Sequence, residues 1–557
     1  MSFVKLGNEA WNFAQMDSFW AEYRPLSPWA RDEAGKKSVY RDANILKSRY
    51  DDIERAMLLA ANAENSASLD RITYHLKRMP RLPLEAKESY ELIELFQVKK
   101  FMANYRGLVS AMDTEAASYF GLEPFKAGSK SRELAALLDS GGSDPETFFL
   151  ADSFDPELKE ARAGMAACDS LVIKEKQKRE AKVRLDFGIS FDGRDFIILA
   201  KDKARAIAGA SNGGAICSLE PYDDSRFMAR LLPSPQALEA MAEREGWLAM
   251  ERKAETRVLA FLSLKVAEAI PEIKAAVKAV SRWDRARAGA ELAIKYNMSR
   301  PALGSKRMEL VSARFIPCEA ECSSMGLAYT PLTASFGSNA VVLFGSNMGG
   351  KTVVLKTVLF FQLLAQAGLF VPAKVFCSRL YDSISYVGEL DSERLAGLSG
   401  FGMEVWRLEA AWKDSKAEGQ AALVAFDELA RTTGSHEAEA LLSAVIEAQL
   451  KHGLAGMAFY ATHFRGVARL HGAEYRRMRG LDRSALSLAM AAQNKTDHAD
   501  GNLDRRLAGI NRFMRYEIID DECSAPESDA LAIASLLGLD HNIVDRARFY
   551  LGKKEDT

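Results

Sequence analysis

The sequence predicts an α/β domain built on a phosphate-binding loop in its C-terminal half, behind a mostly α-helical N-terminal half. Three observations predict it. Residues 341–344, VVLF, form a short, wholly apolar run that reads as a buried strand. Residues 345–352, GSNMGGKT, fit the pattern G-x-x-x-x-G-K-[ST], and the apolar stretch 353–369 behind them reads as a helix. Strand, glycine-rich loop and helix in that order suit phosphate binding. Gly345, Gly349 and Gly350, with Ser346, Asn347 and Met348 between them, let backbone N–H groups converge on one phosphate, and the helix N-terminus adds positive potential there. Lys351 can then reach the phosphates and the Thr352 hydroxyl can ligate Mg²⁺.

Composition bounds the rest. A chain of 557 residues with 48% apolar residues holds two to four domains with true cores. Lys plus Arg number 74 against 76 Asp plus Glu, so any contact with nucleic acid must come from a local patch. No apolar run reaches the ~20 residues that span a bilayer, and MSFVKLGNEAWNF has no signal-peptide core. The six cysteines are scattered, and only Cys318 and Cys322 are close, with no second pair or nearby His to complete a zinc site. Reduced thiols and a cytoplasmic location are the expectation.

Taken in order, residues 1–45 are mixed, with Pro25 and Pro28 breaking any long helix. From there to about 115 the pattern is helical: Leu46, Tyr50, Ile53 and Met57 form one stripe and Leu92, Leu95, Val98, Met102 and Tyr105 a second. Residues 116–160 read as loop-rich, with SGGSDP at 140–145 the clearest linker. The basic run 171–184 admits two readings, a solvated helix face or a phosphate-contacting patch. Residues 185–199 alternate around Asp192-Gly193, which predicts a β-hairpin with a type I′ turn. The stripe Val258, Leu262, Val266, Ile270, Ile273, Val277 and Val280 marks a long helical stretch over 236–297, with a kink or restart at Pro271. Unbroken, that stretch would be ~90 Å long at 1.5 Å per residue, which suits a lever.

From about 306 strand and helix alternate. The apolar runs 422–426 and 457–461 end in Asp427-Glu428 and Thr462-His463, and α/β folds place their chemistry at the carboxyl ends of buried strands. Asp427 suits an Mg²⁺ ligand, Glu428 a base or positioner for an attacking water, and His463 a γ-phosphate sensor. Each alone is as compatible with a structural role; their order behind a phosphate loop is what hydrolysis needs. Residues 528–551 read as two short helices joined at Gly538-Leu539-Asp540.

These motifs resemble the MutS family of ATPases. GSNMGGKT is similar to that family's GPNMGGKS, GLFVPA (368–373) to GxFVPA, LSGFGMEVWRL (398–408) to the STFMxEM segment, DELARTTGS (427–435) to DExGRGTST, and YATHF (460–464) to FATHY. The tail 528–551 resembles the family's C-terminal helix-turn-helix, and LSPWARDEA (26–34) with 236–301 resembles its lever. The resemblance implies an ABC-like P-loop ATPase domain preceded by a helical lever and core, arranged as 1–184 helical core, 185–235 hairpin-containing insert, 236–305 lever helices, 306–525 ATPase and 526–557 helix-turn-helix. It implies ATP and Mg²⁺ as cofactors, with Glu428 and His463 in catalysis, residues 345–352 on the nucleotide, and Thr352 and Asp427 on the metal. It also implies a dimer, with itself or a paralogue, in which Ser399 contacts the γ-phosphate held by the partner; a helix N-cap is the other reading of Ser399.

The departures are specific. Ser346 replaces Pro, Ala430 and Thr432 replace glycines, and His436-Glu437-Ala438 replaces YDG, so slow or gated hydrolysis is expected. Lever-like sequence begins within about the first 30 residues, leaving no expected place for the family's mismatch-reading wedge, and no C-terminal nuclease extension is expected. Two partners follow from the resemblance. One is DNA, bound by a MutS-like clamp. The alternative is a cobalamin-dependent aminomutase, reactivated by a small MutS-like ATPase; residues 94–107 resemble that group. No membrane partner is expected.

Overall fold

The computed structural model describes residues 3–85, 87–140, 147–210, 216–345, 349–388, 400–415, 420–431, 433–451, 456–485, 512–521, 529–536 and 539–555. The chain divides into two compact units, Met1–Asp70 with Val280–Thr557, and Arg71–Ala279. The expected stretches 1–184 and 236–305 therefore each contribute to both.

The first unit is built on a sheet of β1 (Lys5–Leu6), β2 (Ala340–Phe344), β3 (Ser383–Val387), β4 (Ala422–Asp427), β5 (Gly456–Thr462), β6 (Glu474–Leu481) and β7 (Met514–Asp520). Their order is β1-β3-β4-β5-β2-β6-β7, parallel except for the antiparallel β6–β7 pair. Every residue of β2 and β5 is buried, as a strand covered on both faces requires. Register sets the site: Thr462 lies opposite Phe344 and Asp427 opposite Ala461, so the carboxyl ends of β2, β5 and β4 finish side by side. The helix Lys351–Gln366 leaves the loop behind β2, and its residues Phe360 and Phe361 pack edge-on against Phe19, Phe315 and Phe376. A smaller sheet of Ala302–Leu303, Val375–Ser378, Met308–Ala313 and Leu332–Phe336 belongs to the same unit. The first forty residues are part of this unit too. Lys5 and Leu6 add a strand to the sheet edge, and Phe13 stacks on Tyr386 at 3.8 Å.

The second unit is mainly helical, with Leu92–Ala111, Thr114–Phe120, Lys130–Asp139 and Pro156–Phe187 among its helices. Two of these lie in the stretch expected to be loop-rich. Phe120 and Leu122 are buried there, and Gly121 between them ends the helix Thr114–Phe120 at φ +73°. The stripe from Val258 to Val280 is buried as expected, but Pro235–Lys295 runs as one helix with exposed Pro271 inside it, and no restart occurs.

The hairpin expected over 185–199 does not form. The turn does: Asp192 and Gly193 have φ +47° and +77°, and Arg194 N–H donates to Phe191 O at 2.9 Å. Its first arm, however, is the end of Pro156–Phe187, stopped by Gly188 in the left-handed region. Phe196–Ala200 pairs instead with Arg226–Leu231, which forms a hairpin with Cys217–Pro221. The reason is burial: Leu199, Ala229 and Cys217 all face one small core with Val183 and Phe191. The tail forms two helices, Asp529–Leu536 and His541–Glu555, with Ile533 packed on Leu481 and Met514. No described helix is long and apolar enough to cross a membrane.

Candidate functional site

Gly345, Gly349, Gly350, Lys351, Thr352, Asp427, Glu428 and His463 are brought together at the carboxyl ends of β2, β4 and β5. Ser346, Asn347, Met348 and Ser399 lie outside the described residues. Gly350 has φ +92°, and a Cβ there would sit 3.1 Å from the Tyr516 ring; a Cβ on Gly345 would lie 3.1 Å from Met478. The loop thus runs close against β6 and β7 side chains, which glycine permits.

Lys351 is buried, with Nζ donating to the Gly345 carbonyl at 2.7 Å and 3.7 Å from Glu428 Oε1. Burial holds its pKa below the ordinary lysine value, although the carboxylates of Glu428 and Asp427 oppose that shift. The Thr352 hydroxyl donates to Asp427 Oδ2 at 3.0 Å. Burial pushes the Asp427 carboxyl above its ordinary range against that hydrogen bond, and Oδ1 is buried with no hydrogen-bond partner among the described residues. A hydroxyl, a half-satisfied carboxylate and a buried ammonium at one end of the sheet fit a phosphate-bound divalent cation: hard oxygen donors for the ion, a cation for the phosphate.

Glu428 is surrounded by positive or protonatable groups. Its Oε1 lies 3.7 Å from Lys351 Nζ and from His463 Nδ1, and its Oε2 3.6 Å from Arg431. Two residues in this region carry no role in the sequence reading. Arg465 lies over the Phe344 ring at 5.2 Å, and Glu404 accepts a 2.8 Å hydrogen bond from the Ala430 N–H. Glu404 falls within LSGFGMEVWRL, but its partner is 26 residues away, a pairing that local pattern does not reveal.

A glycine loop between an all-buried parallel strand and a helix, with its lysine and hydroxyl facing a strand-end Asp-Glu, is the arrangement of the P-loop nucleoside triphosphatase class. Residues 341–553 match the family model of MutS domain V, which is a P-loop ATPase domain. Over that segment the chain carries a MutS-type ATPase domain, and the curated proteins it resembles include MutS and MutS2 proteins. It is 25% identical over 544 residues to the DNA mismatch repair protein MutS of Symbiobacterium thermophilum, covering 95% of this chain and 55% of that protein. It is 26% identical over 338 residues to the endonuclease MutS2 of Thermomicrobium roseum, covering 57% and 40%, and 32% identical over 254 residues to that of Thermus thermophilus, covering 44% and 30%. The chain spans about half the length or less of these curated relatives.

Proposed function

We propose that this chain is a cytoplasmic, Mg²⁺-dependent ATPase that works as a dimer and couples turnover to DNA binding. The observation that carries the reading is the meeting of Thr352, Asp427, Lys351 and Glu428 at one end of the sheet. Bound together, ATP and Mg²⁺ supply a phosphoanhydride polarised for attack by water. In this reading Lys351 leaves the Gly345 carbonyl to hold the phosphates, while Thr352 and the open Oδ1 of Asp427 hold the ion. Glu428 orients the attacking water, His463 reads the terminal phosphate, and Ser399 acts on the nucleotide of the partner subunit. The two tail helices, whose Ile543, Phe549 and Tyr550 are exposed, supply dimer contacts as a helix-turn-helix.

DNA is favoured over a protein client because a relative named as a DNA mismatch repair protein aligns along 95% of the chain, and because the second unit carries exposed basic residues. In the run 171–184, Lys178 pairs with Glu175 at 2.5 Å, Lys176 with Asp195 at 3.0 Å, and Arg179 donates to Leu232 O at 2.8 Å. Lys174, Lys182 and Arg184 are exposed on that helix, and Arg226 and Arg230 on the outer face of the three-stranded sheet. We assign the Pro235–Lys295 helix to the lever and these exposed basic residues to phosphate contacts.

The test is ATP turnover and filter binding with duplex, branched and single-stranded DNA at ~0.15 M salt, where screening extends beyond ~8 Å. Binding is expected to fall with salt by a log–log slope of about −0.9 per phosphate contacted. Reversing Lys174, Lys182, Arg184 and Arg230 to Glu is expected to flatten that slope for all sequences alike. No binding to any of the three DNAs, with basal turnover intact, contradicts the DNA reading and leaves a protein client such as an aminomutase.

A further inference from the structure

The turn that carries Glu428 is in a conformation its residues resist. Glu428 and Ala430 have φ +54° and +64°, in the left-handed region that side chains with a Cβ avoid. Two such residues within three positions persist only where neighbours hold them. On one side β5 does so: Glu428 N–H donates to Ala461 O at 2.9 Å. On the other side the holding group is a side chain. Glu404 Oε2 accepts from Ala430 N–H at 2.8 Å. Glu404 stands on the helix Gly400–Ser415, which lies along β3 and β4 and is anchored by buried Met403 and by Arg407, which donates to Gly388 O at 2.7 Å. Leu429 and Ala430 meanwhile sit in the core behind β4. The backbone between Asp427 and Arg431 is therefore clamped between β5 and one carboxylate, and the clamp fixes where the Glu428 carboxylate points, 3.7 Å from both Lys351 and His463.

We propose that Glu404 is a positioning residue for hydrolysis. Its carboxylate latches the Glu428–Ala430 turn in its left-handed form and so aims Glu428 at the phosphate loop. Because the latch sits on the helix that begins at Gly400, the same hydrogen bond ties the aim of Glu428 to that helix. The proposal rests on the role given to Glu428 above.

The latch makes a suppressor prediction that a merely structural Glu404 does not. In the full-length protein, Glu404→Ala is expected to lower kcat for ATP by about ten- to a hundredfold while KM stays within about twofold, since water placement is lost and nucleotide binding is not. Glu404→Gln, whose amide oxygen still accepts from Ala430 N–H, is expected to retain most of the rate. Glu404→Ala combined with Ala430→Gly is expected to recover much of it, because glycine takes the left-handed conformation without being held. Wild-type kcat in Glu404→Ala, equal loss in Glu404→Gln, or no recovery with Ala430→Gly would each overturn the latch. Loss of nucleotide binding in step with turnover would overturn it as well, by making Glu404 a residue of the fold. Glu428→Ala, assayed alongside, separates the two levels: a wild-type rate there sinks the reading of Glu428 itself.

Discussion

Asp284 shows how one side chain can dock a segment. It is fully buried, and its Oδ2 accepts from Leu26 N–H at 2.7 Å, Ser27 N–H at 2.6 Å and the Ser27 hydroxyl at 2.8 Å, while Oδ1 faces Arg287 at 2.9 Å. The buried charge is thus fully engaged, and removing it would leave three donors and a guanidinium short of an acceptor. Asp284→Ala is expected to destabilise the protein by about 3 kcal/mol, read by chemical denaturation; Asp284→Asn, which still accepts, should cost less. At this scale the sequence was most readable where chemistry dictates residue type. Lys351, Thr352, Asp427, Glu428 and His463 stand where their motifs put them. Glu404 and Asp284 were not readable, because a carboxylate acquires its meaning from a partner that is distant along the chain. Ala430 lies between: it could be seen to replace a glycine, and the structure adds that its backbone, at φ +64°, is in the left-handed region that favours glycine.

Among the elements, the long helices followed their stripes, and the interruptions were harder to foresee. Pro271 is accommodated within Pro235–Lys295, and the next residue has a second task. Glu272 accepts from the N–H of Ser131 at 2.9 Å and of Lys130 at 3.3 Å, capping the helix Lys130–Asp139. Burial alone would raise its pKa, but the hydrogen bonds from Ser131 and Lys130 outweigh that and hold it below the ordinary glutamate value. A carboxyl lowered in the folded state contributes stability that is present above its unfolded value and lost as pH falls through the folded one. Glu272→Ala is therefore expected to cost about 1 kcal/mol at neutral pH, with the gap from wild type closing on acidification through and below pH ~4; melting temperatures across that range check it. The misread hairpin has a related cause. The Asp192-Gly193 turn signal is local and correct, but strand pairing is settled by which residues can fill the small core of Leu199, Ala229 and Cys217. A turn alone does not choose the partner.

In the molecule as a whole, the order of strands was beyond the sequence. Parallel neighbours such as β2, β5 and β4 are joined by long crossovers, so nothing local states that β5 lies between the phosphate loop and Asp427. Nor did pattern reveal that two residues at the N-terminus extend the ATPase sheet, since a strand as short as Lys5–Leu6 has no periodicity to detect. What was legible was the fold class of the domain around residues 341–553, because a buried strand, a glycine loop and a helix in sequence leave few alternatives. The central claim is that this loop binds ATP and that Glu428 turns it over. The most direct measurement compares Lys351→Ala and Glu428→Ala for binding of a fluorescent ATP analogue and for Mg²⁺-dependent phosphate release. The account predicts that Lys351→Ala loses both, and that Glu428→Ala binds as wild type while releasing phosphate at least about a hundredfold more slowly. Phosphate release by Glu428→Ala at the wild-type rate, or undiminished nucleotide binding by Lys351→Ala, would contradict it.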